Sequence, residues 1–130
     1  MTTEPDYLDE LETRDPALRE DALFAALPEQ IANAQRNAPA FAKILAGVDP
    51  IAIASRAALA RLPVTRKSEL IERQKESFAE RDPFGGLTAM PTGQLARIFA
   101  SPGPIYDPEA LRPDYWRLAR ALYAAGFRRG

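Results

Sequence analysis

The side chains with the clearest potential for chemistry lie in the stretch "RIFASPGPIYDPE", Arg97 to Glu109. A short run of β-branched and aromatic residues leads into a turn of small residues, and the residues after it favour a helix start. Phosphate-binding loops are built in this order, with backbone N–H groups and hydroxyls aimed at the anion. The loop is therefore a nucleotide site, a damaged nucleotide site or an ordinary turn.

The residue types within this loop disfavour a standard ATP clamp. Pro102 and Pro104 each lack a backbone N–H donor, and Ile105 offers no hydroxyl. Tyr106 does not readily adopt the positive φ that a glycine would allow. Asp107 adds a negative charge, and at ~4 Å with an effective dielectric near ~20 its repulsion of a phosphate is about 4 kcal/mol per pair of unit charges. We predict impaired or altered phosphate binding, with a plain turn as the close alternative.

The composition narrows the chemistry that is available elsewhere. The chain has no Cys and no His, which removes thiol catalysis, disulfides, the usual zinc ligand sets and the commonest general base near neutral pH. The formal net charge of −1 argues against general nucleic-acid binding. No apolar run approaches the ~20 residues of a membrane span, and the N-terminus lacks the pattern of a signal peptide. We therefore expect a cytoplasmic protein that binds neither membrane nor nucleic acid.

The charge is distributed unevenly along the 130 residues. Residues 1–30 hold nine acids against Arg14 and Arg19, whereas residues 91–130 hold six arginines against three acids. The two ends could attract each other, but solvated charge is the favoured interpretation for both. The same holds for Arg117 and Arg120, which we expect on a solvated helix face.

Other residues that could carry chemistry also favour structural roles. Glu69, Glu72 and Glu76 share one helical face and could ligate a metal, but pairing with Arg73, Lys75 and solvent is the stronger interpretation. Lys67 is expected to be solvated or capping, and Tyr115 and Trp116 are expected to be core anchors. We predict no catalytic residue and no metal ligand in this chain.

Local signals predict a mostly helical chain with short elements. Asp15-Pro16 marks a helix start, and Pro28 should kink that helix or split it near Leu27. Further helices are predicted from Pro39 to Gly47, from Ser55 to Arg61, over about Arg66–Glu76 after a Thr65 cap, and over about Tyr115–Ala125 after an Asp114 cap. "QLARIFAS" is the best strand candidate.

These elements predict one or two short strands in an otherwise α chain, the front end of an α/β domain. We divide the chain into a mobile acidic arm (1–14), in which Tyr7, Leu8 and Leu11 could hold the arm to the body, a helical subdomain (15–78), and a final segment (79–130) of loop, strand, altered phosphate loop and helix. A lone strand cannot form a sheet. We therefore expect that the sequence is a piece of a larger protein.

Several stretches together resemble one family. "LARLPVTRKSELIERQ" resembles the segment before the nucleotide loop of phenylacetate–CoA ligases, in the AMP-forming adenylating superfamily, because Leu62, Pro63, Thr65, Lys67 and Leu70 match while Glu69 replaces an Asp. "NAPAFAKIL", "DPFGG", "ARIFAS" and the final "DYWRLARALYAAGFRRG" are similar to further family elements in the same order, over about residues 16–130. Ungapped against the family loop Ser-Ser-Gly-Thr-Thr-Gly-x-Pro, the chain keeps Ser101, Gly103 and Pro108. These three are the candidate phosphate-loop residues.

The resemblance implies a two-step reaction. ATP, with Mg²⁺, and an aryl or other carboxylic acid give an acyl-adenylate, and coenzyme A then displaces AMP to give a thioester. The resemblance also implies that most of the active site lies in polypeptide beyond Gly130. We expect ATP, Mg²⁺ and coenzyme A not to bind tightly to this chain alone, and we expect it to be inactive alone.

Two functions remain open. The chain is the front part of a ligase-like protein, which is completed by the remainder of the adenylating enzyme or by a complementary chain. Alternatively, it is a non-catalytic helical binding or scaffold module derived from that family. In either case an unpaired strand edge and uncovered apolar residues predict self-association, so a homo-oligomer is possible.

Overall fold

The computed structural model describes residues 6–128 and contains five helices and one two-stranded antiparallel sheet within that range. The elements in chain order are α1 (Pro16–Asn37), α2 (Pro39–Ile44), α3 (Arg56–Leu59), α4 (Lys67–Phe78), β1 (Leu95–Ser101), β2 (Ile105–Ala110) and α5 (Leu118–Ala124). Short 3₁₀ turns lie at Glu10–Glu12, Pro50–Ala52 and Thr92–Gln94. The expectation of a mostly α chain with few strands is confirmed.

Helix α1 begins where the sequence predicted. The Asp15 carboxylate accepts hydrogen bonds from the N–H groups of Ala17 (2.8 Å) and Leu18 (3.2 Å), and Pro16 occupies the first turn, where no N–H donor is needed. The helix continues through Pro28 to Asn37, so of the two predicted effects of Pro28, a kink or a split near Leu27, the split is wrong. Packing on both sides of Pro28 accounts for this, because Leu27, Ile31 and Ala34 all face the same core.

The core of the helical part forms where α1 meets α2, α3 and their connections. Its buried residues are Ile31, Leu45, Ile53 and Ala58, surrounded by the partly buried Leu27, Ala34, Phe41, Ile44, Val48 and Leu62. The Gln35 amide donates to the carbonyls of Leu45 and Val48, both at 2.9 Å, and so gives hydrogen-bond partners to two carbonyls in the turn after α2. Gly47 follows α2 at φ +77°, as the predicted helix stop requires.

The short helix α3 follows the 3₁₀ turn at Pro50–Ala52. Ser55 caps α3 as predicted, with its hydroxyl accepting from the Ala58 N–H at 3.2 Å. Arg56 reaches back to α1, where its Nε donates to Glu20 at 2.6 Å. This exposed hydrogen bond lowers the pKa of Glu20 and raises the pKa of Arg56.

Helix α4 begins at Lys67 with Arg66 as its N-cap residue, so the predicted Thr65 cap is wrong by one residue. The Glu69 carboxylate accepts from the Arg66 N–H at 3.3 Å and fixes the start there. The helix extends to Phe78 and packs against β2.

The largest departure from the sequence predictions follows the strand candidate. We expected a loop and then a helix over Tyr115–Ala125, but β2 occupies Ile105–Ala110 and pairs with β1. Helix α5 begins only at Leu118, because Asp114 (φ +47°) and Arg117 (φ +55°) take left-handed conformations that interrupt a helix. The Asp114 carboxylate still accepts a hydrogen bond from the Ala119 N–H at 3.1 Å, inside the first turn of α5.

Candidate functional site

The predicted phosphate loop is the tight turn of the β1–β2 hairpin. Ser101 and Ile105 are paired across the two strands, and only Pro102, Gly103 and Pro104 lie between them. The Ser101 hydroxyl donates to the Ile105 carbonyl at 3.5 Å, which closes the turn from inside. Gly103 has φ +132°, a value that side chains rarely allow, so this position requires glycine.

This turn offers few donors to an anion. Of its three residues only Gly103 carries a backbone N–H, because proline has none. A phosphate-binding loop instead aims several consecutive N–H groups at the oxygens. A Cβ on Gly103 would lie 3.7 Å from the Ile71 side chain, so α4 closes one side of the turn.

The three candidate residues are only partly brought together. Gly103 lies in the turn and Ser101 ends β1 directly before it, but Pro108 lies within β2, opposite Ile98. Asp107, whose charge was expected to repel a phosphate, also lies in β2, opposite Phe99. The eight residues from Ser101 to Pro108 therefore form a turn and a strand instead of a single loop.

The sequence analysis missed Gln74, which holds the hairpin to α4. This side chain is only 6% exposed; its amide N–H donates to the Tyr106 carbonyl at 3.1 Å, and its amide oxygen accepts from the Tyr106 N–H at 2.9 Å. The amide thus satisfies both backbone groups of a residue on the outer edge of β2, as a further strand would do. Its spacing from Leu70 and Ile71 places Gln74 on their face of α4, and this was the available signal.

The loop "DPFGG" is a second built feature beside α4. The two oxygens of the Asp82 carboxylate accept from the N–H groups of Phe84 (3.0 Å) and Gly86 (2.5 Å), and the Phe84 side chain is 1% exposed. Gly85 and Gly86 have φ values of +66° and +71°, and added Cβ atoms would lie 3.2 Å from the Arg73 backbone and 3.1 Å from the Ala40 nitrogen. The loop therefore wedges between α2 and α4.

A shallow cleft of about 260 Å³ opens beside this loop, between α2 and α4. Lys43 and Arg73 line it together with Glu76, Glu80 and Asp82, so both signs of charge are present. Because the Asp82 oxygens already accept two backbone hydrogen bonds, that carboxylate stabilises the conformation of the loop. The cleft shows no set of convergent groups for a particular ligand.

The acids of α4 make local contacts. Glu69 accepts from the Arg66 N–H, and Glu72 pairs with Lys75 at 3.0 Å. Within residues 6–128, no three Asp or Glu side chains converge on a point where a metal ion could be held. The Lys67 side chain is exposed, as expected.

The aromatic pair before α5 packs on the sheet in part. Trp116 donates from Nε1 to Glu109 at 3.0 Å and lies edge-on to Phe99, with ring centroids 6.1 Å apart. Arg97 also pairs with Glu109 at 3.0 Å, so this buried carboxylate has two partners. Trp116 itself is 45% exposed, and the expectation of a buried core anchor is wrong for it.

The two charged ends of the chain meet, contrary to the favoured interpretation. Arg120 on α5 pairs with Asp9 at 2.6 Å and with Glu12 at 3.4 Å. The side chains of Arg120 and Asp9 are little more than one third exposed. Tyr7, Leu8 and Leu11, the side chains that could have held the acidic arm, are exposed, and residues 1–5 of the arm lie outside the described range.

Two comparisons with known proteins gave no match: no protein-family model matches this chain, and no curated protein matches it. Among the described residues, no helix combines the length and the apolar character needed to cross a bilayer. The motifs and their arrangement in space are therefore the observations that bear on function.

Proposed function

We propose that this chain is the front part of an AMP-forming acid–CoA ligase similar to the phenylacetate–CoA ligases. In that role it supports the ATP-dependent activation of an aryl or other carboxylic acid to its CoA thioester through an acyl-adenylate. The acid-activating centre requires further polypeptide, either the remainder of the enzyme or a complementary chain. The expected location is the cytoplasm.

One observation carries this proposal: the separate stretches that resemble the family pack on one another. The helix of the "LPVTRKSEL" stretch, α4, contacts the "DPFGG" loop where Gly85 approaches Arg73, and it binds the hairpin through Gln74 and Tyr106. Gly86 accepts, through its carbonyl, a hydrogen bond of 2.9 Å from the Ala40 N–H in the "NAPAFAKIL" stretch. This contiguity is the arrangement that the proposal requires.

In this proposal the hairpin turn borders the nucleotide site without clamping the phosphates. The turn has one backbone donor, Gly103, and one hydroxyl, Ser101, and that hydroxyl already donates to the Ile105 carbonyl. ATP, Mg²⁺ and coenzyme A would then be held chiefly by polypeptide other than this chain. The chain contributes packing and the wall of the site.

The second candidate is a non-catalytic binding or scaffold module. The observation that favours it is a set of large apolar side chains near the C-terminal end that are 45–64% exposed, namely Ile98, Phe99, Trp116, Leu118, Leu122 and Phe127. Such surface suits a protein partner as well as it suits the remainder of an enzyme.

The test is ATP–pyrophosphate exchange with a panel of aryl acids, followed by thioester formation with coenzyme A. We expect no exchange by the 130-residue chain, and we expect exchange when the chain is combined with the adenylating core that the proposal requires. The variant Gln74→Met should reduce the activity of the combined protein, because it loosens the hairpin, whereas Gln94→Met on the exposed turn before β1 should not.

Three outcomes decide between the candidates. Strong exchange by the chain alone would contradict the role given to the turn. Unrelated sequence next to the chain, with no activity in any combination, would favour the module. Activity that depends on this chain and on the integrity of its hairpin supports the ligase function.

A further inference from the structure

Strand β1 has one paired edge and one open edge. Its partner on one side is β2, and within residues 6–128 no strand lies on its other side. The outer edge of β2 is covered at Tyr106 by the Gln74 amide, but no hydrogen bond within the described range covers β1 in this way. An open strand edge is a template for another strand.

The register shows which backbone groups of β1 point outward. Tyr106 directs its N–H and carbonyl to Gln74 and therefore away from β1. In an antiparallel pair, two directly opposed residues direct their N–H and carbonyl groups either toward each other or away from each other. Because Tyr106 directs these groups away from β1, Ala100 opposite it directs its own away from β2, to the open edge. By alternation Ile98 does the same, which agrees with its neighbour Pro108 having no N–H to offer.

The open edge of β1 is complementary to itself. If two copies pair antiparallel with Ile98 opposite Ala100 of the second copy, the outward N–H and carbonyl groups of these residues form four hydrogen bonds across the edge. Phe99 then lies on the two-fold axis opposite its own copy, in the closely spaced kind of pair. Arg97 lies opposite Ser101 of the second copy, so no like charges oppose each other. This register avoids the irregularity between Leu95 and Arg97.

The exposed aromatic rings fit the same arrangement. Phe99 is 46% exposed and Trp116 beside it is 45% exposed, although they contact each other edge-on. Two copies related by the axis would bring four rings together and remove this surface from water. Arg97 stays paired with Glu109 of its own chain and does not obstruct the approach.

We propose that this chain forms a two-fold dimer through the open edge of β1, in the register that pairs Ile98 with Ala100 of the second copy. The two hairpins then make one four-stranded antiparallel sheet. This inference rests on the geometry of the hairpin and concerns the 130-residue chain by itself, without the further polypeptide that the ligase function would require.

The first test measures association by sedimentation velocity and light scattering over a concentration series. Wild type should change from monomer to dimer. Ala100→Pro deletes one outward donor in each copy but no hydrogen bond of the hairpin, and should weaken the dimer by about tenfold or more. Ala100→Thr keeps the donor and is the matched control, which should dimerise as wild type does.

The second test probes the register of the two β1 strands in the dimer, and it does not depend on whether the proline variant folds. Because the chain has no cysteine, single substitutions give unambiguous cross-links. Phe99→Cys would place two cysteines on the axis with Cα atoms about 4.5 Å apart, within disulfide range. The control is Val64→Cys, because Val64 is 78% exposed and lies in the loop before α4, away from β1.

Under mild oxidation Phe99→Cys should form a covalent dimer on the order of tenfold faster than Val64→Cys, because pairing raises the local thiol concentration. A wild-type chain that remains monomeric across the series would overturn the proposal. So would equal cross-linking at both positions, or association that Ala100→Pro leaves unchanged. Association through a different surface would appear as an unchanged dimer in that variant.

Discussion

The substitution Gln74→Met tests how the hairpin is held to the helices. Methionine is close to glutamine in length and suits a buried site, so it fills the space without offering the amide. It removes both hydrogen bonds to Tyr106, which are 3.1 Å and 2.9 Å long. The N–H and carbonyl of Tyr106 are then left facing an apolar side chain.

The size of the effect follows from these two groups. Each buried backbone group left without a partner costs about 1–3 kcal/mol. Tyr106 is only partly buried, so water can replace part of the loss, and the expected total is about 2–3 kcal/mol, the lower part of the summed range. This is a large share of the roughly 5–15 kcal/mol that stabilises a typical domain.

Urea unfolding followed by far-UV circular dichroism measures the loss, and hydrogen exchange at the Tyr106 amide locates it. The midpoint should fall, and Tyr106 exchange should speed up more than exchange in α1. Gln94→Met, at an exposed position before β1, is the matched control and should change stability by less than about 0.5 kcal/mol. Equal midpoints for the two variants, together with unchanged Tyr106 exchange, would refute the bracing role of Gln74.

Three further predictions concern the loop, the arm and the first helix. Gly86→Ala should lower stability by about 1–3 kcal/mol in thermal unfolding, because the position has φ +71° and the new Cβ would lie 3.1 Å from the Ala40 nitrogen; unchanged melting would contradict this. Arg120→Gln should release the acidic arm and speed its cleavage in limited proteolysis, most clearly at low salt. If the variant and wild type are cleaved at the same rate, the ion pairs do not hold the arm. The Glu20 carboxylate has a lowered pKa because Arg56 donates to it, so its stabilising effect is full above its ordinary pKa of 4.5 and is lost as pH falls through the lower folded value. Glu20→Gln should therefore narrow the stability difference between neutral and acidic pH in urea unfolding, and an unchanged pH profile would count against the pair.

Local signals predicted the starts of α1, α2 and α3 well, but not those of α4 and α5. Asp15 and Ser55 act as caps through hydrogen bonds to residues two or three positions ahead, and such contacts depend on neighbouring sequence alone. Pro39 and Gly47 likewise mark the two ends of the α2 region because of their own backbone preferences.

Strand β2 could not be predicted in the same way. Its residues "IYDPEA" include Asp, Pro and Glu, which are unfavourable in strands. The strand exists because Gln74, 32 residues away, satisfies its outer edge, and because Pro108 has its missing donor on that edge. A tertiary contact therefore outweighed local preference, and residues 105–108 of the predicted loop belong to strand β2.

The sequence predicted a turn at this point, but not the hairpin that the turn belongs to. Ser101 ends a strand and Gly103 lies in the turn after it, and the shortage of donors follows directly from Pro102 and Pro104. The pairing of Arg120 with Asp9 joins residues 111 positions apart, which composition suggested only as a possibility. Long-range pairs of this kind need the fold before they can be assigned.

The central claim is that the turn between β1 and β2 does not grip a triphosphate, and titration of the ¹⁵N-labelled chain with ATP and Mg²⁺ tests it most directly. The Gly103 amide is the only N–H of the three turn residues and serves as the probe. The double variant Pro102→Ser, Pro104→Thr restores two donors and two hydroxyls and should respond more strongly than wild type. For wild type we predict no saturable shift at Gly103 below about 1 mM ATP. A saturable shift at micromolar ATP, centred on Ser101 to Ile105, would contradict the account.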